Sequence, residues 1–475
     1  MNVPAPQYRR RPGDIIIRPL RLPPERVVVT PRKLPRRPLP PALVLAASFA
    51  AAIALGTLAL MLPISSAGGE WTSPRVAIFT ATSAVTLTGL VLVDTGTYWS
   101  GLGQAVILLM IQLGGLGFMT GASLVFMLLG RRLTLRERLL VREAVGAFGI
   151  GEATRLARNI ALMMFSLEAV AAVILFLRFV GERPPGKALW FAVFHAVSAL
   201  NNAGFDIAGD FRSLIGYQSD PVVVLTVAAL IMAGGLSYIT LANIARQRSF
   251  VRLSLDSKIV LVTSVVLWVL GTAAVLVAEW NNRSTLGPLA WPDKLLNAFF
   301  QSVTARTAGF NTVDTAGLTE HSLFLLVGLM FIGGAAASTA GGIRLNTFSA
   351  LLVAIIATVL GRSDVQAFRR TIPPALVYRA LAIALLSVAF VFVVAYLLAF
   401  TEEAPFLHLL FETVSAFGTV GLTTGITPNL SPVGSLIIVM TMLVGRLGPL
   451  TLAVLLAGRL TAPRIHYAQE PVRVG

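Results

Sequence analysis

Four times along this chain a phenylalanine stands ten residues ahead of a glycine: Phe79 and Gly89, Phe194 and Gly204, Phe299 and Gly309, Phe411 and Gly421. An apolar residue follows each glycine: Leu90, Phe205, Phe310 or Leu422. The stretches that end on the glycines read Thr-Ser-Ala-Val-Thr-Leu-Thr-Gly, Val-Ser-Ala-Leu-Asn-Asn-Ala-Gly, Ser-Val-Thr-Ala-Arg-Thr-Ala-Gly and Val-Ser-Ala-Phe-Gly-Thr-Val-Gly. Each is the small, hydroxyl-rich end of a short helix. Coincidence at two fixed offsets in four places marks one supersecondary unit used four times.

The residues between the copies identify their medium. Of the 475 residues, 56% are hydrophobic and 13% charged, with a mean hydropathy of +0.79. Soluble domains carry roughly 25% charged residues, so most of this surface does not face water. A bilayer core needs about 20 apolar residues of helix. Runs of that length lie near 41–63, 101–129, 157–180, 220–246, 258–280, 322–344, 375–400 and 431–458. Between alternate pairs sit apolar stretches near 74–88, 187–203, 292–308 and 405–420 that are too short to cross. These read as re-entrant helices, tolerated where buried in protein or facing a watery cavity. The expected fold is an all-α membrane protein of four helix–pore-loop–helix repeats, with eight transmembrane helices and four re-entrant pore helices around a central pore. Its parts are a basic Pro/Arg-rich tail (1–40), repeats at 41–129, 157–246, 257–360 and 374–460, and a C-terminus at 461–475.

The net charge of +16 follows the loops. Ten basic residues fall in the first forty, including Arg9, Arg10, Arg11, Arg32, Lys33, Arg36 and Arg37. Others cluster at 130–158, 246–258 and 361–379 and at the C-terminus, whereas 64–75, 181–187, 280–294 and 401–405 are poor in Lys and Arg. This is an orientation pattern rather than a nucleic-acid footprint, and it puts both termini in the cytoplasm. All four re-entrant segments then enter from outside. The tail has no apolar periodicity; it reads as disordered or lying near anionic lipid, and it is too long and proline-broken for a signal peptide.

Catalytic chemistry has little to work with here. There is no cysteine, and His195, His321, His408 and His466 share no metal-ligand spacing. No Gly-x-Ser-x-Gly elbow occurs. Gly114-Gly115-Leu116-Gly117 lies inside a span with no strand before it, which rejects a dinucleotide fingerprint. A glycine loop behind a short helix suits cation conduction instead. Glycine adopts backbone angles closed to other residues, and four such loops can offer rings of carbonyl oxygens in place of an ion's hydration shell. Helix C-termini pointed at the axis add partial negative charge. Glycines that serve only close helix packing would need neither a preceding short helix nor a four-fold register.

At these residues the sequence resembles the Trk/Ktr/HKT superfamily of potassium transporters, most closely the membrane subunit of bacterial Ktr systems. The likeness rests on TSAVTLTGLVLVDTG at 82–96, NNAGFD at 201–206, SVTARTAGFNTVD at 302–314 and GRLGPLT at 445–451, and runs from 41 to about 460. It implies a selectivity filter made by Thr86, Leu87, Thr88 and Gly89, by Asn201, Asn202, Ala203 and Gly204, by Arg306, Thr307, Ala308 and Gly309, and by Gly418, Thr419, Val420 and Gly421. It implies K+ at the filter carbonyls as the transported ion, Na+ as a candidate coupling or activating ion, and no cofactor in the chain. The implied partners are a second copy in a homodimer, a separate cytoplasmic nucleotide-binding regulatory ring of the KtrA/TrkA type, and membrane lipid. The implied location is the bacterial inner membrane.

Two features are costly in a bilayer. The sixth span is interrupted at 333–342, where Gly333, Gly334, Ser338, Thr339, Gly341 and Gly342 surround three alanines; glycine costs about 1 kcal/mol against alanine in a helix. Arg446 sits near the middle of the last span, where a charge costs about 2.5–3.5 kcal/mol. The resemblance implies a gate made of this loop and Arg446; the other readings are close helix packing for the loop glycines and an ion pair of Arg446 with Glu168 or Glu412. Asp94, Asp206, Asp210 and Asp314 follow the filter glycines and either concentrate cations at the outer mouth or simply solubilise loops. A secondary transporter coupling a solute to a cation would call for inverted repeats, whereas these keep one orientation.

Overall fold

The computed structural model describes residues 41–117 and 150–448. The basic tail, the 118–149 segment with most of the first basic loop, and the stretch from 449 onward lie outside the described residues. So do the far ends of the runs expected at 101–129 and 431–458, and the Pro-Leu-Thr that closes the 445–451 motif.

The first repeat contains α1 (Pro41–Met61), α2 (Pro74–Thr86), the single turn α3 (Thr95–Tyr98) and α4 (Gly101–Leu116). The second contains α5 (Ile150–Phe179), α6 (Pro185–Leu200), α7 (Pro221–Gly235) and α8 (Tyr238–Gln247). The third contains α9 (Leu255–Glu279), α10 (Trp291–Thr304), α11 (Glu320–Phe331) and α12 (Leu345–Val359), and the fourth α13 (Pro374–Thr401), α14 (Phe406–Gly418) and α15 (Pro432–Leu447). A hairpin of two two-residue strands, Gln366–Ala367 and Arg370–Thr371, is the one departure from helix among the named elements.

Local chemistry repeats with the fold. Pro74, Pro185 and Pro292 open α2, α6 and α10, and Pro405 stands just before α14. Proline has the right φ there and lacks an N–H that would go unpaired. The helices that follow the ring glycines and return along each repeat, α4, α7, α11 and α15, are capped by Ser100, Asp220, Thr319 and Ser431, whose side chains accept from N–H groups of the first turn. Such a cap contributes about 1 kcal/mol. In the third repeat the cap is also tied to the preceding long helix, since Thr319 Oγ1 donates to Glu279 at 2.6 Å.

The four units form a closed circle. The short helix of each repeat packs on the returning helix of the repeat before it: α6 on α4, α10 on α7, α14 on α11, and α2 on α15. The apolar cores lie at these seams. Phe194 packs in a core shared by the first and second repeats. Phe299 borders a core of the second and third, Phe411 lies in one of the third and fourth, and Phe79 in one of the fourth and first. The recurring phenylalanine is thus a seam residue. In hydrocarbon its contribution is close packing rather than water release.

Among the described residues three helices are long and apolar enough to cross a membrane, Arg158–Phe179, Leu255–Glu279 and Pro374–Thr401. These lie in the first long helices of repeats two to four. The apolar run at 220–246 is a pair, α7 and α8, bent by 98°. The run at 322–344 is α11 followed by an irregular segment that leads into α12.

Candidate functional site

The short helices end on a common backbone conformation. Leu87, Asn202, Thr307 and Thr419 have φ of +61, +53, +73 and +48°, and two residues later Gly89, Gly204, Gly309 and Gly421 have φ of +86, +70, +78 and +92°. A left-handed non-glycine costs about 1–3 kcal/mol and persists only where its surroundings hold it. Here four chemically different residues share it. Buried hydrogen bonds do the holding: the N–H groups of Thr88, Ala203 and Val420 each donate at 2.8 Å to the carbonyl of Ser83, Ser198 or Ser415. The third repeat varies the device, with Ala308 N–H donating to Thr304 O at 3.0 Å.

The four loops meet head to tail. A Cβ on Gly89 would fall 2.6 Å from the Ala203 carbonyl oxygen, and one on Gly204 would fall 2.8 Å from that of Ala308. On Gly309 it would strike the Val420 carbonyl, and on Gly421 the Thr88 carbonyl. The ring closes from the fourth repeat back to the first. At the level of the glycines the loops meet backbone to backbone, and no side chain fits at any of the four.

Outside the ring is a cavity of about 270 Å³ whose lining includes all four glycines together with Asp94, Asp206 and Asp314. Asp210 is exposed and lies 4.0 Å from Arg212, so it serves the loop surface. Asp94 is buried and accepts from Thr97 N–H at 2.8 Å and Phe211 N–H at 3.0 Å, fixing the outer loops of the first two repeats to each other.

Inside the ring runs the segment from Ile332 to Arg344. Gly341 abuts the Thr419 side chain, and Gly342 faces Gly418, so the segment lies against the inner end of the fourth loop. Ala335 N–H donates to Gly235 O at 2.9 Å, and Thr339 Oγ1 to Gly234 O at 3.2 Å. Ser338 Oγ donates to Ala335 O at 2.7 Å, closing a turn across the three alanines. Gly333 accepts from Arg306 Nη2 at 3.3 Å. Arg306 therefore turns its side chain away from the axis, with its guanidinium 5.5 Å above Trp268 of α9.

Among the described residues Arg446 has no carboxylate partner. It donates to Thr339 O within the segment and to Gly114 O of α4 at 2.8 Å. Glu168 instead accepts from Asn201 and Gln112, and Glu412 from Thr423, Thr424 and Thr427. The ion-pair reading is thereby overturned. The arginine joins the irregular segment of the third repeat to the inner helix ends of the fourth and first.

A feature that sequence reasoning passed over is one glycine contact shared by the returning helices of the first, second and fourth repeats. Gly114, Gly234 and Gly445 each press on the backbone carbonyl four residues before their own repeat's ring glycine, at Val85, Leu200 and Phe417. Three residues beyond each, Gly117, Ser237 and Gly448 take left-handed φ of +70, +76 and +88°. In the third repeat Gly333 instead presses on the Gly341 carbonyl of the irregular segment. The signal was present as Gly-Gly-Leu-Gly, Gly-Gly-Leu-Ser and Gly-Arg-Leu-Gly, but averaged hydropathy hides it inside apolar runs.

A family model described as TrkH, cation transport protein, matches residues 32–248 and 240–465. The chain is 43% identical over 412 residues to the Ktr system potassium uptake protein B of Bacillus subtilis, covering 86% of this chain and 92% of that one. It is 36% identical to the potassium/sodium uptake protein NtpJ of Enterococcus hirae, covering 94% and 99%. Its fold resembles the crystal structure of the potassium transporter TrkH from Vibrio parahaemolyticus, with a TM-score of 0.67 at 18% identity, covering 90% and 86%. With its four like units in a closed circle and these matches along nearly its whole length, the chain belongs to the TrkH cation transport family.

Proposed function

We propose that this chain is the pore subunit of a Trk/Ktr-type potassium uptake system, passing K+ through the ring of Gly89, Gly204, Gly309 and Gly421. The observation that carries the reading is the closed backbone ring, in which each glycine abuts the carbonyl of the next loop. Carbonyls so arranged replace an ion's water without a side chain, and the C-terminal ends of α2, α6, α10 and α14 lend negative potential there. The filter comprises 86–89, 201–204, 306–309 and 418–421, and the gate comprises 333–342 with Arg446. The name of the Bacillus subtilis relative favours potassium, and that of the Enterococcus hirae relative makes sodium the second ion to test. The chain carries an ion and catalyses no reaction. It works as a homodimer on a cytoplasmic nucleotide-binding ring, in the bacterial inner membrane.

Expression in an uptake-deficient bacterium tests the reading: growth should become possible at low potassium, with rubidium flux exceeding sodium flux. Sodium flux that needs an organic solute, without potassium rescue, would favour a solute-coupled carrier instead. Orientation is checked separately. Reporters at the C-terminus and in the 130–158 loop should read cytoplasm, and one at Asn282 outside; the same side for the 130–158 loop and Asn282 refutes the eight-span arrangement.

The outer cavity should make uptake sensitive to external pH. Burial in the wall pushes the Asp206 carboxyl up to about 7, with the Asp94 charge adding to it and the Ala208 N–H bond opposing. The group is charged above that value and neutral below it. Lowering the outer solution from about pH 8 to about pH 6 should therefore raise the KM for the cation roughly threefold. Asp206→Asn should show the higher KM at both pH values, and a pH response that survives this change would assign it elsewhere.

A further inference from the structure

The outer cavity has carboxylates from three repeats and none from the fourth. Counting from the ring glycine, Asp94 and Asp314 stand at the fifth position and Asp206 at the second; the fourth repeat has Ile426 and Thr423 there. Thr423 lines the cavity. Its hydroxyl donates to Glu412, a fully buried residue in the middle of α14. Glu412 also accepts from Thr424 N–H at 3.2 Å and from Thr427 Oγ1 at 2.8 Å. Among the described residues no lysine or arginine lies within ion-pair distance of it.

A buried carboxylate with three donors and no cation is expensive to keep, and a pore helix could brace a loop with neutral groups instead. We propose that Glu412 is the recessed fourth carboxylate of the outer cavity. It positions the 421–427 wall and, through Thr423, adds negative potential where the ion sheds its water. Thr423 spends its one proton on Glu412 and its oxygen accepts from Gly425 N–H at 3.0 Å, so the hydroxyl ties the buried charge directly to the cavity wall. The three aspartates stand in the lining, whereas this charge sits one residue behind it, screened from solvent and therefore long in reach. Glu412 is thus a positioning and specificity-determining residue for cation entry. The inference rests on the potassium-pore reading.

The test is cation uptake per folded molecule by the full chain in cells, with detergent-stable yield measured alongside. Glu412→Gln keeps size and hydrogen bonding but removes charge; it should raise the KM for K+ about three- to tenfold with Vmax little changed. Thr423→Val should do the same, and the double variant should add little, because the two act as one unit. The decisive variant is Glu412→Gln with Thr423→Asp. It moves the carboxylate into the lining, at the position that Asp206 occupies in the second repeat, and should restore the KM towards wild type. Loss of yield with unchanged KM in Glu412→Gln, or a raised KM that Thr423→Asp fails to lower, overturns the assignment. A wild-type chain that carries no potassium would instead sink the pore reading, so the two failures are distinct.

Discussion

Gly421→Ser should lower the preference for potassium over sodium by at least about tenfold while leaving the protein in the membrane. A Cβ at this position meets the Thr88 carbonyl and sits on a backbone with φ of +92°. Adopting a left-handed conformation costs a non-glycine about 1–2 kcal/mol, and the collision adds to that. The ring cannot absorb both without tilting the Thr88 carbonyl out of place. Selectivity is a difference between two binding free energies, so a bias of about 1.4 kcal/mol already changes it tenfold. Gly309→Ser should act alike, since its Cβ meets the Val420 carbonyl. Rubidium and sodium flux measured on the same cells check the expectation. Normal expression with unchanged selectivity in both variants would mean that these glycines serve packing alone.

Much of this architecture was legible because its determinants are local. The short helices need only a proline start, an apolar run of limited length and a small, hydroxyl-rich end, and all of these are sequence-adjacent. The phenylalanine register was legible for a tertiary reason, since each ring fills a seam between neighbouring repeats. What escaped were contacts set by the closure of the circle. Gly114 in a long apolar run looks like any packing glycine until Val85 O is seen against it. Hydropathy windows average such a residue with its leucine neighbours, so only the third repeat's returning span looked interrupted. The partner of Arg446 escaped for another reason. Charge reasoning searches for a carboxylate, and the structure supplies backbone carbonyls from two other repeats. Glu412 was noticed only as a possible mate for that arginine, although its donors lie eleven to fifteen residues ahead on its own loop.

Arg446→Ala should increase ion flux per folded molecule, by about tenfold, and reduce dependence on a regulatory partner. In the proposed gate the path below the ring meets two obstacles: the 333–342 segment, which lies against Gly418 and Thr419, and a guanidinium that binds this segment. A unit charge about 8 Å from a monovalent cation opposes it by about 2 kcal/mol at an effective dielectric constant near 20, enough for an effect of that size. Removing the side chain also releases Thr339 O, and the segment loses its tie to Gly114 of α4. Deleting Ala335 to Ala337 attacks the same obstacle from its other end, where Ala335 N–H holds Gly235 O. If arginine and segment form one barrier, the two changes together should gain little over either alone, because contacting sites are not additive. A purely structural role makes a different forecast. Two carbonyls lose a charged donor, and such a loss costs about 1–3 kcal/mol each when buried, so folded yield would drop while flux per folded molecule stayed the same. Measuring both quantities separates the cases. Additive gains from the two changes would mean that they relieve separate barriers, and unchanged flux with lowered yield would remove Arg446 from the gate.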